Sequence, residues 1–128
     1  MKAKIVAGLC AGLLGVAAAG GAATQSAGDA KRGADVFKAQ CATCHSVEAG
    51  KSSPIGPHLA GVVGRKAASA EGFKYSPAFQ QLDFAWTPSA LNEYLENPQA
   101  VAPGTPKALT VPAARNRNDV IAFLATLK

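Results

Sequence analysis

Cys41-Ala42-Thr43-Cys44-His45 is the stretch of sequence on which the fold of this 128-residue chain depends. Two thiols three positions apart, followed directly by an imidazole, match the C-x-x-C-H pattern of c-type haem attachment. The thiols can reach the two vinyl groups at one edge of a porphyrin, and the adjacent imidazole can then ligate the iron. The motif therefore predicts one covalent haem c, with Cys41 and Cys44 as attachment residues and His45 as the proximal iron ligand.

Three other uses of a Cys-x-x-Cys pair compete with haem attachment. A structural zinc site needs four ligands, whereas residues 24–128 contain two cysteines and, besides His45, only His58. A redox relay of the thioredoxin kind needs a βαβ context, which the sequence lacks. A plain disulfide would explain neither His45 nor the long irregular segments described below. These three remain minor alternatives.

Residues 1–23 have the pattern of a secretory signal peptide. Lys2 and Lys4 precede an apolar run over residues 5–19, and small residues follow it. A membrane-spanning helix is the alternative, but it needs roughly 20 apolar residues. We expect cleavage within residues 19–27, a periplasmic or otherwise exported location, and no stable membrane insertion after cleavage.

Residues 24–128 are predicted to form one small domain. Removal of Lys2 and Lys4 leaves 11 basic and 8 acidic residues, a net charge of +3. The basic residues are dispersed and not interleaved with aromatic ones, so nucleic acid is not an expected partner. A domain of this size has limited capacity to bury a core and benefits from a stabilising cross-link or cofactor.

Four helical segments are predicted from apolar periodicity and from capping residues. They begin at about Asp29, Ser76-Pro77, Thr87-Pro88 and Asn116. The first is expected to end at Ala42. The third is expected to end at Asn97-Pro98, because the residue before a proline avoids the helical conformation.

The segments 50–72 and 99–115 are irregular and long for a compact domain, unless a buried cofactor organises them. Apolar alternation is confined to one short extended piece, Leu82, Phe84 and Trp86. The fold class predicted is therefore all-α, with about four helices wrapped around one covalent haem.

Over residues 24–128 the chain resembles a class I cytochrome c of the bacterial type that is similar to the mitochondrial carrier. The motifs that carry the resemblance follow the family order: Gly28-Asp29 with Gly33 and Phe37, the Cys41–His45 motif, Gly56-Pro57-His58-Leu59, Tyr75, Trp86, Tyr94, Pro103-Gly104-Thr105 and Arg117 to Leu124. The resemblance implies that the first and last helices cross, with Gly33 allowing close approach and Phe37 packing near Phe123.

The resemblance also implies roles for residues around the haem. The carbonyl of Pro57 would accept the second ring proton of His45 and strengthen it as a ligand. His58 is expected to be a surface or loop histidine rather than a second iron ligand. A buried propionate needs charged or hydrogen-bonding partners. The residues implied for that role are Arg65, Tyr75 and Trp86.

The distal face is where the chain departs from the family. Tyr94 would line that face, and Thr105 belongs to the loop that normally delivers a methionine ligand in a Gly-Thr-Lys-Met sequence. Here residues 104–111 read GTPKALTV, and the only methionine is Met1. Counted from the start of the loop, Lys107 takes the methionine position; counted back from the last helix, residue 108 or 109 takes it. The sixth ligand is then Lys107, water or nothing, or another group.

The expected function is that of a periplasmic one-electron carrier with a single c-type haem, not an enzyme. Redox proteins are the expected partners, such as respiratory complexes, oxidases or periplasmic dehydrogenases, and we expect a monomer. The alternative is a small-ligand-binding haem protein or a weak peroxidase with an open or lysine-ligated iron. The sequence offers no convincing distal His or Arg for efficient O–O cleavage. An assembly role with an inert haem is a third, minor possibility.

Overall fold

The computed structural model describes residues 27–107 and 109–128, so the predicted signal peptide, residues 1–23, lies outside the described residues. The helices in these ranges are α1 (Ala30–Gln40), α2 (Pro77–Gln80), α3 (Pro88–Glu96), α4 (Pro98–Val101) and α5 (Ala114–Leu124). No strand forms within the same ranges, and the predicted all-α class is confirmed. None of the helices described has the length and hydropathy needed to cross a membrane.

Helix α4 is an addition to the four predicted helices. The predicted stop at Asn97-Pro98 does end α3, but it also begins α4. The Asn97 side chain accepts a hydrogen bond from the backbone N–H of Ala100 at 3.3 Å, and Pro98 occupies the first helical position, where a missing N–H loses no hydrogen bond. The same residue pair is thus a stop for one helix and a cap for the next.

Two helix ends also differ from the predicted bounds. Helix α5 begins at Ala114, before the predicted start at Asn116, and its first residues make no side-chain cap. Helix α1 ends at Gln40 rather than Ala42, because the chain turns at Cys41. Asp29 is the N-cap of α1 as predicted, and its carboxylate accepts from two backbone N–H groups of the first turn.

Helices α1 and α5 cross at Gly33. A Cβ built on Gly33 would lie 1.9 Å from the carbonyl oxygen of Asp119, so only glycine allows the two backbones to approach this closely. Beside the crossing, the rings of Phe37 and Phe123 pack with their centroids 5.4 Å apart, within the favourable range for aromatic pairs. The crossing implied by the sequence resemblance is present in the structure.

A buried carboxylate holds the start of α1 against α5. Asp119 is 3% exposed. It accepts from the backbone N–H of Asp29 at 2.7 Å and from Nε of Arg32 at 2.9 Å. These hydrogen bonds, led by that of Arg32, hold the pKa of Asp119 below its ordinary value. The carboxylate therefore stays ionised and fixes the angle at which the two helices meet.

Residues 64–67 and 84–86 run side by side and close the core. The N–H of Gly64 donates to the carbonyl of Trp86 at 2.7 Å, the N–H of Trp86 to Arg65 at 2.9 Å, and the N–H of Ala67 to Phe84 at 2.9 Å. This pairing matches the extended piece predicted from alternation, although it amounts to a single bridge. The buried core contains Phe37, Val62, Ala67, Trp86, Leu91, Val120, Ile121 and Leu124.

Replacing Gly33 by alanine is expected to destabilise the protein by about 3 kcal/mol, because the new Cβ would overlap the Asp119 carbonyl and force the helices apart. At an uncrowded helix position the same change stabilises by up to about 1 kcal/mol, so the sign of the effect tests the crossing. Chemical denaturation provides the measurement. The control is Ala39→Gly on the exposed face of α1, which should cost about 0.5–1 kcal/mol. A Gly33→Ala protein more stable than wild type would contradict the close approach.

Candidate haem-binding site

The Cys41–His45 motif forms a tight turn at the end of α1. The N–H of Cys41 donates to the carbonyl of Phe37 at 2.8 Å, and the N–H groups of Cys44 and His45 both donate to the carbonyl of Cys41 at 3.0 Å. The turn brings all three reactive side chains to the lining of one cavity. No disulfide joins Cys41 to Cys44, and burial raises the pKa of Cys41.

The cavity beside this turn has a volume of about 450 Å³. Cofactor pockets commonly measure roughly 300–1,000 Å³ and are mostly apolar. Apolar lining residues come from α1, α3, α5 and the chain between them: Phe37, Leu59, Val62, Phe79, Trp86, Leu91, Leu95, Val120 and Leu124. The irregular segments 50–72 and 99–115 both contribute to the lining, so a common cavity organises them.

His45 is oriented by Pro57. Its Nδ1 lies 2.8 Å from the Pro57 carbonyl oxygen. A carbonyl oxygen only accepts, so Nδ1 carries the proton and Nε2 keeps a lone pair. Burial lowers the pKa of His45, and the hydrogen bond to Pro57 opposes part of that shift. The side chain is thus held as the neutral imidazole, the form that ligates metals.

Gly56 is required by the close approach of this loop to the motif. A Cβ at Gly56 would lie 2.4 Å from the carbonyl oxygen of Cys44 and 3.0 Å from Nδ1 of His45. Ser53 fixes the same contact, since its Oγ donates to the Cys44 carbonyl at 2.8 Å and accepts from the Gly56 N–H at 3.2 Å. The sequence identified Gly56 only as part of a loop motif, because a steric requirement leaves no compositional signal.

Arg65, Tyr75 and Trp86, the residues implied for a propionate, line the same cavity. Arg65 is held by two carbonyl acceptors, those of Ala60 at 2.9 Å and His58 at 3.0 Å. The Tyr75 hydroxyl accepts from the N–H of Ala70 at 3.1 Å, which leaves its own proton for another acceptor. The structure therefore places one cation and one hydroxyl donor together at this part of the cavity.

Ser76 is a further polar residue of the cavity that the sequence analysis missed. Its position before Pro77 predicts a helix cap, yet its side chain makes no capping hydrogen bond. Ser76 Oγ is the only buried side-chain nitrogen or oxygen without a partner among residues 27–107 and 109–128. A buried hydroxyl without a partner costs about 1–3 kcal/mol. Because Ser76 lines the cavity beside Tyr75, a cofactor carboxylate would satisfy it, and the residues present fit a haem.

Tyr94 lies in an aromatic cluster at the cavity. Its ring packs edge-on against Phe79, with centroids 5.7 Å apart, and against Trp86 at 5.3 Å. Burial raises the pKa of Tyr94 to about 12, so the hydroxyl stays protonated at neutral pH. Phe79 also lines the cavity and was not identified from the sequence, where it reads as part of a short helix.

Thr105 and Lys107 bring the last loop to the cavity. Thr105 is 4% exposed, and its Oγ1 accepts from the backbone N–H of Lys107 at 3.2 Å. Lys107 is half-buried, and its ammonium group donates to the carbonyl of Ile55. The positive charge of Lys107 contributes to the lowered pKa of His45. The structure thus places Lys107 at the lining of the same cavity as the proximal histidine.

His58 lies in a loop, one of the two places expected for it, but it does not lie at the surface. Only 9% of it is exposed. Its backbone N–H donates to Oγ of Ser52 at 3.0 Å, and the guanidinium of Arg65 lies 3.5 Å from its Nδ1. Burial, followed by the Arg65 charge, lowers its pKa. His58 is not among the described residues that line the cavity.

Comparison with known proteins identifies the family. A family model described as "Cytochrome c" matches residues 30–128. The chain is 46% identical over 98 residues to cytochrome c of Cochliobolus lunatus, a match that spans 76% of this chain and 91% of that protein. It is 43% identical over 115 residues to cytochrome c2 of Rhodomicrobium vannielii, spanning 89% and 91%. The chain therefore belongs to the cytochrome c family.

Family membership confirms three predictions: the class I fold, covalent haem c as the cofactor, and an electron-transfer function rather than an enzymatic one. The protein is a haem electron carrier that interacts with redox partners. The contacts of individual cavity residues with the haem, and the identity of the sixth ligand, stay predictions.

Replacing Gly56 by alanine is expected to push the Pro57 carbonyl away from His45. With a weaker hydrogen bond, the imidazole donates less electron density to the iron and stabilises the oxidised iron less. The reduction potential should therefore rise. Overpacking should cost about 1–3 kcal/mol of stability. Redox titration and denaturation measure the two effects.

The control for this substitution is Gly72→Ala. Gly72 has a φ of +74°, but a Cβ there would meet nothing within 4 Å. Backbone strain should therefore lower the stability of this variant without a change in potential. Equal potentials in wild type and Gly56→Ala would contradict the proposed role of the Gly56 approach.

Proposed function

We propose that this protein is a periplasmic one-electron carrier with a single covalent haem c and a sixth iron position that methionine does not fill. The observation that carries the proposal is the apolar cavity whose lining includes Cys41, Cys44 and His45. A bound haem supplies one-electron exchange between ferric and ferrous iron. The chain fixes the haem covalently, orients the proximal imidazole and limits the access of water.

Specific residues would hold the two ends of the haem. Cys41 and Cys44 would form thioether bonds to the vinyl groups, and His45 would offer Nε2 to the iron, since Nδ1 is bonded to the Pro57 carbonyl. Four polar side chains at the cavity would hold a propionate as donors: Arg65, Tyr75, Ser76 and Trp86. Charge-assisted hydrogen bonds to a buried carboxylate are the strong kind.

The cavity supports electron transfer better than peroxidase chemistry. Efficient O–O cleavage depends on polar donors and a base on the distal side of a haem. Among the described residues that line the cavity, the only histidine is His45, and it is oriented by Pro57 on the proximal side. Tyr94 stays protonated because of its raised pKa and so offers a donor but no base.

The sixth position is the finer part of the proposal. The only methionine, Met1, belongs to the predicted signal peptide, so a methionine thioether would be absent from the exported protein. Lys107 is a candidate because it is half-buried and lines the cavity; water or an outside ligand are the other states. Thioether ligation raises a haem potential, so each of these states should lower it.

Location and partners follow from the N-terminus and from the surface. The signal-peptide pattern of residues 1–23 and the similarity to a bacterial cytochrome c2 support an exported, periplasmic protein. Exposed lysines, among them Lys38, Lys51 and Lys66, would steer it towards respiratory complexes, oxidases or periplasmic dehydrogenases and would affect the association rate more than the affinity. We propose that it acts as a monomer.

The exported protein is expected to carry one covalent haem. Expression in a host that exports proteins and attaches c-type haem should yield a chain that begins between about Gly20 and Gly28 and has the added mass of one haem. Mass spectrometry after denaturation provides the measurement. The double variant Cys41→Ser, Cys44→Ser should lose the covalent mass and serves as control. A colourless wild-type protein with two free thiols would contradict the proposed function.

Substitution of Lys107 by alanine is expected to identify the sixth ligand. If Lys107 binds the iron, the variant should shift from a low-spin to a high-spin absorption spectrum, and its reduced form should bind CO more readily. Lys74→Ala is the control, because Lys74 is an exposed lysine at the same cavity and should leave the spectrum unchanged. In wild type, the near-infrared band of sulfur-to-iron ligation should be absent.

The outcome also separates the two candidate functions. A wild-type protein that is already high-spin and binds CO readily would assign the sixth position to water or vacancy and favour small-ligand binding over electron transfer. A potential as high as that of a methionine-ligated cytochrome c2 with similar haem burial would contradict the proposed absence of sulfur ligation.

A further inference from the structure

Helix α5 carries a buried arginine that binds the end of the preceding loop. Arg117 is 5% exposed. Its Nη1 donates to the carbonyl oxygens of Val111 at 2.9 Å and Pro112 at 2.8 Å. Its Nε donates to Oδ1 of Asn92 at 2.9 Å, and its Nη2 donates to Oε1 of Glu96 at 3.1 Å. One guanidinium group therefore joins α5, α3 and the loop between α4 and α5.

Only arginine offers this set of hydrogen bonds. A guanidinium group presents donors in a fixed planar fork, whereas a lysine ammonium is a single point with three donors. The buried charge is compensated by the carboxylate of Glu96, which remains 60% exposed in its side chain, and by two backbone carbonyls. Since an unpaired buried cation is costly, the acceptors and Arg117 hold one another in place.

The loop in question, residues 102–111, is also fixed at its other end. Ala102 is fully buried and Thr105 is 4% exposed. The Gln99 side chain donates to the Thr105 carbonyl at 2.6 Å and accepts from the N–H of Gly104 at 3.1 Å. At the far end Val111 is fully buried.

Three residues between these fixed ends line the cavity, namely Pro106, Lys107 and Leu109. Lys107 is half-buried, whereas Leu109 is 55% exposed, and both belong to the lining. A shift of the loop away from the cavity would withdraw the side chains of Lys107 and Leu109 from the lining. At the far end, the contacts of Val111 oppose such a shift. Its backbone N–H donates to the carbonyl of Leu95 at 2.7 Å, and its carbonyl accepts from Nη1 of Arg117 at 2.9 Å.

We propose that Arg117 is a positioning residue for the sixth coordination position: it fixes the end of loop 102–111 and so keeps Lys107 and Leu109 at the cavity. This inference rests on the proposed haem site but concerns a residue that does not contact the cavity. Loss of the guanidinium leaves Val111 held by its buried side chain and one backbone hydrogen bond. The loop then moves away from the cavity more often, and outside ligands reach the iron more easily.

The test compares Arg117→Lys with Arg32→Lys in the haem-loaded protein. Arg32 is the matched control, because it also bonds a residue at α5, Asp119, but makes no bond to the loop in the described structure. For Arg117→Lys we expect imidazole to bind the ferric protein about tenfold more tightly than in wild type, or about 1.4 kcal/mol. For Arg32→Lys we expect a change below about twofold, although its thermal stability should also fall. Absorption titration provides the measurement.

Amide hydrogen exchange supplies a readout that does not depend on the iron. The N–H of Val111, bonded to the Leu95 carbonyl, should exchange at least about tenfold faster in Arg117→Lys than in Arg32→Lys when the two are compared at equal global stability. If Arg117→Lys does not fold, Asn92→Ala removes one acceptor of the guanidinium and should produce smaller changes in the same direction.

The outcomes separate the two proposals. Unchanged imidazole affinity and unchanged Val111 exchange in a folded Arg117→Lys protein would overturn the positioning role. Equal changes in the Arg32→Lys control would also overturn it, since they would show a general effect of lost stability. A wild-type protein without covalent haem would instead contradict the proposed function, and the Val111 exchange would still decide the role of Arg117.

Discussion

The contact between Gly33 and the carbonyl of Asp119 sets the position of the other structural elements. Because α1 and α5 touch backbone to backbone there, the end of α1 is fixed relative to Val120 and Leu124 of α5, which line the cavity. The chain leaves α1 directly into the Cys41–His45 turn. The reactive side chains are therefore placed by a helix crossing that only glycine allows at position 33, and the segments without regular structure complete the cavity around them.

A second feature of the molecule is that its buried polar groups are of two kinds. Asp119 and Arg117 find their partners within the chain, and their networks fix the positions of helices and of a loop. The buried hydroxyl of Ser76, by contrast, has no partner among the described residues, and Tyr75 keeps its hydroxyl proton available. Groups of the second kind make the cavity costly to leave without a cofactor, which couples haem binding to the stability of the fold.

The features that were predictable from the sequence have local signals. The Cys41–His45 motif, the capping residues and the prolines at helix starts act within a few residues, so the haem, three of the helix starts and the all-α class could be predicted. Other features depend on contacts between distant segments. Examples are the close approach of Gly56 to Cys44 and His45, the burial of His58 and the orientation of Ser76. None of these leaves a pattern in the neighbouring sequence. The helix α4 was missed for a different reason, since a residue pair that ends one helix can also begin the next.

The bond between the backbone N–H of Asp29 and the carboxylate of Asp119 joins residues that are 90 positions apart in the chain. The two ends of the described domain are thus in direct contact. Gly72 lies in an exposed turn inside this interval, and exposed turns are preferred sites of proteolytic cleavage. A single cut there would break the covalent connection between two parts of the domain. One part contains α1 and the cysteine motif, and the other contains α3 and α5. The two fragments would keep their mutual interface and remain associated as a non-covalent complex.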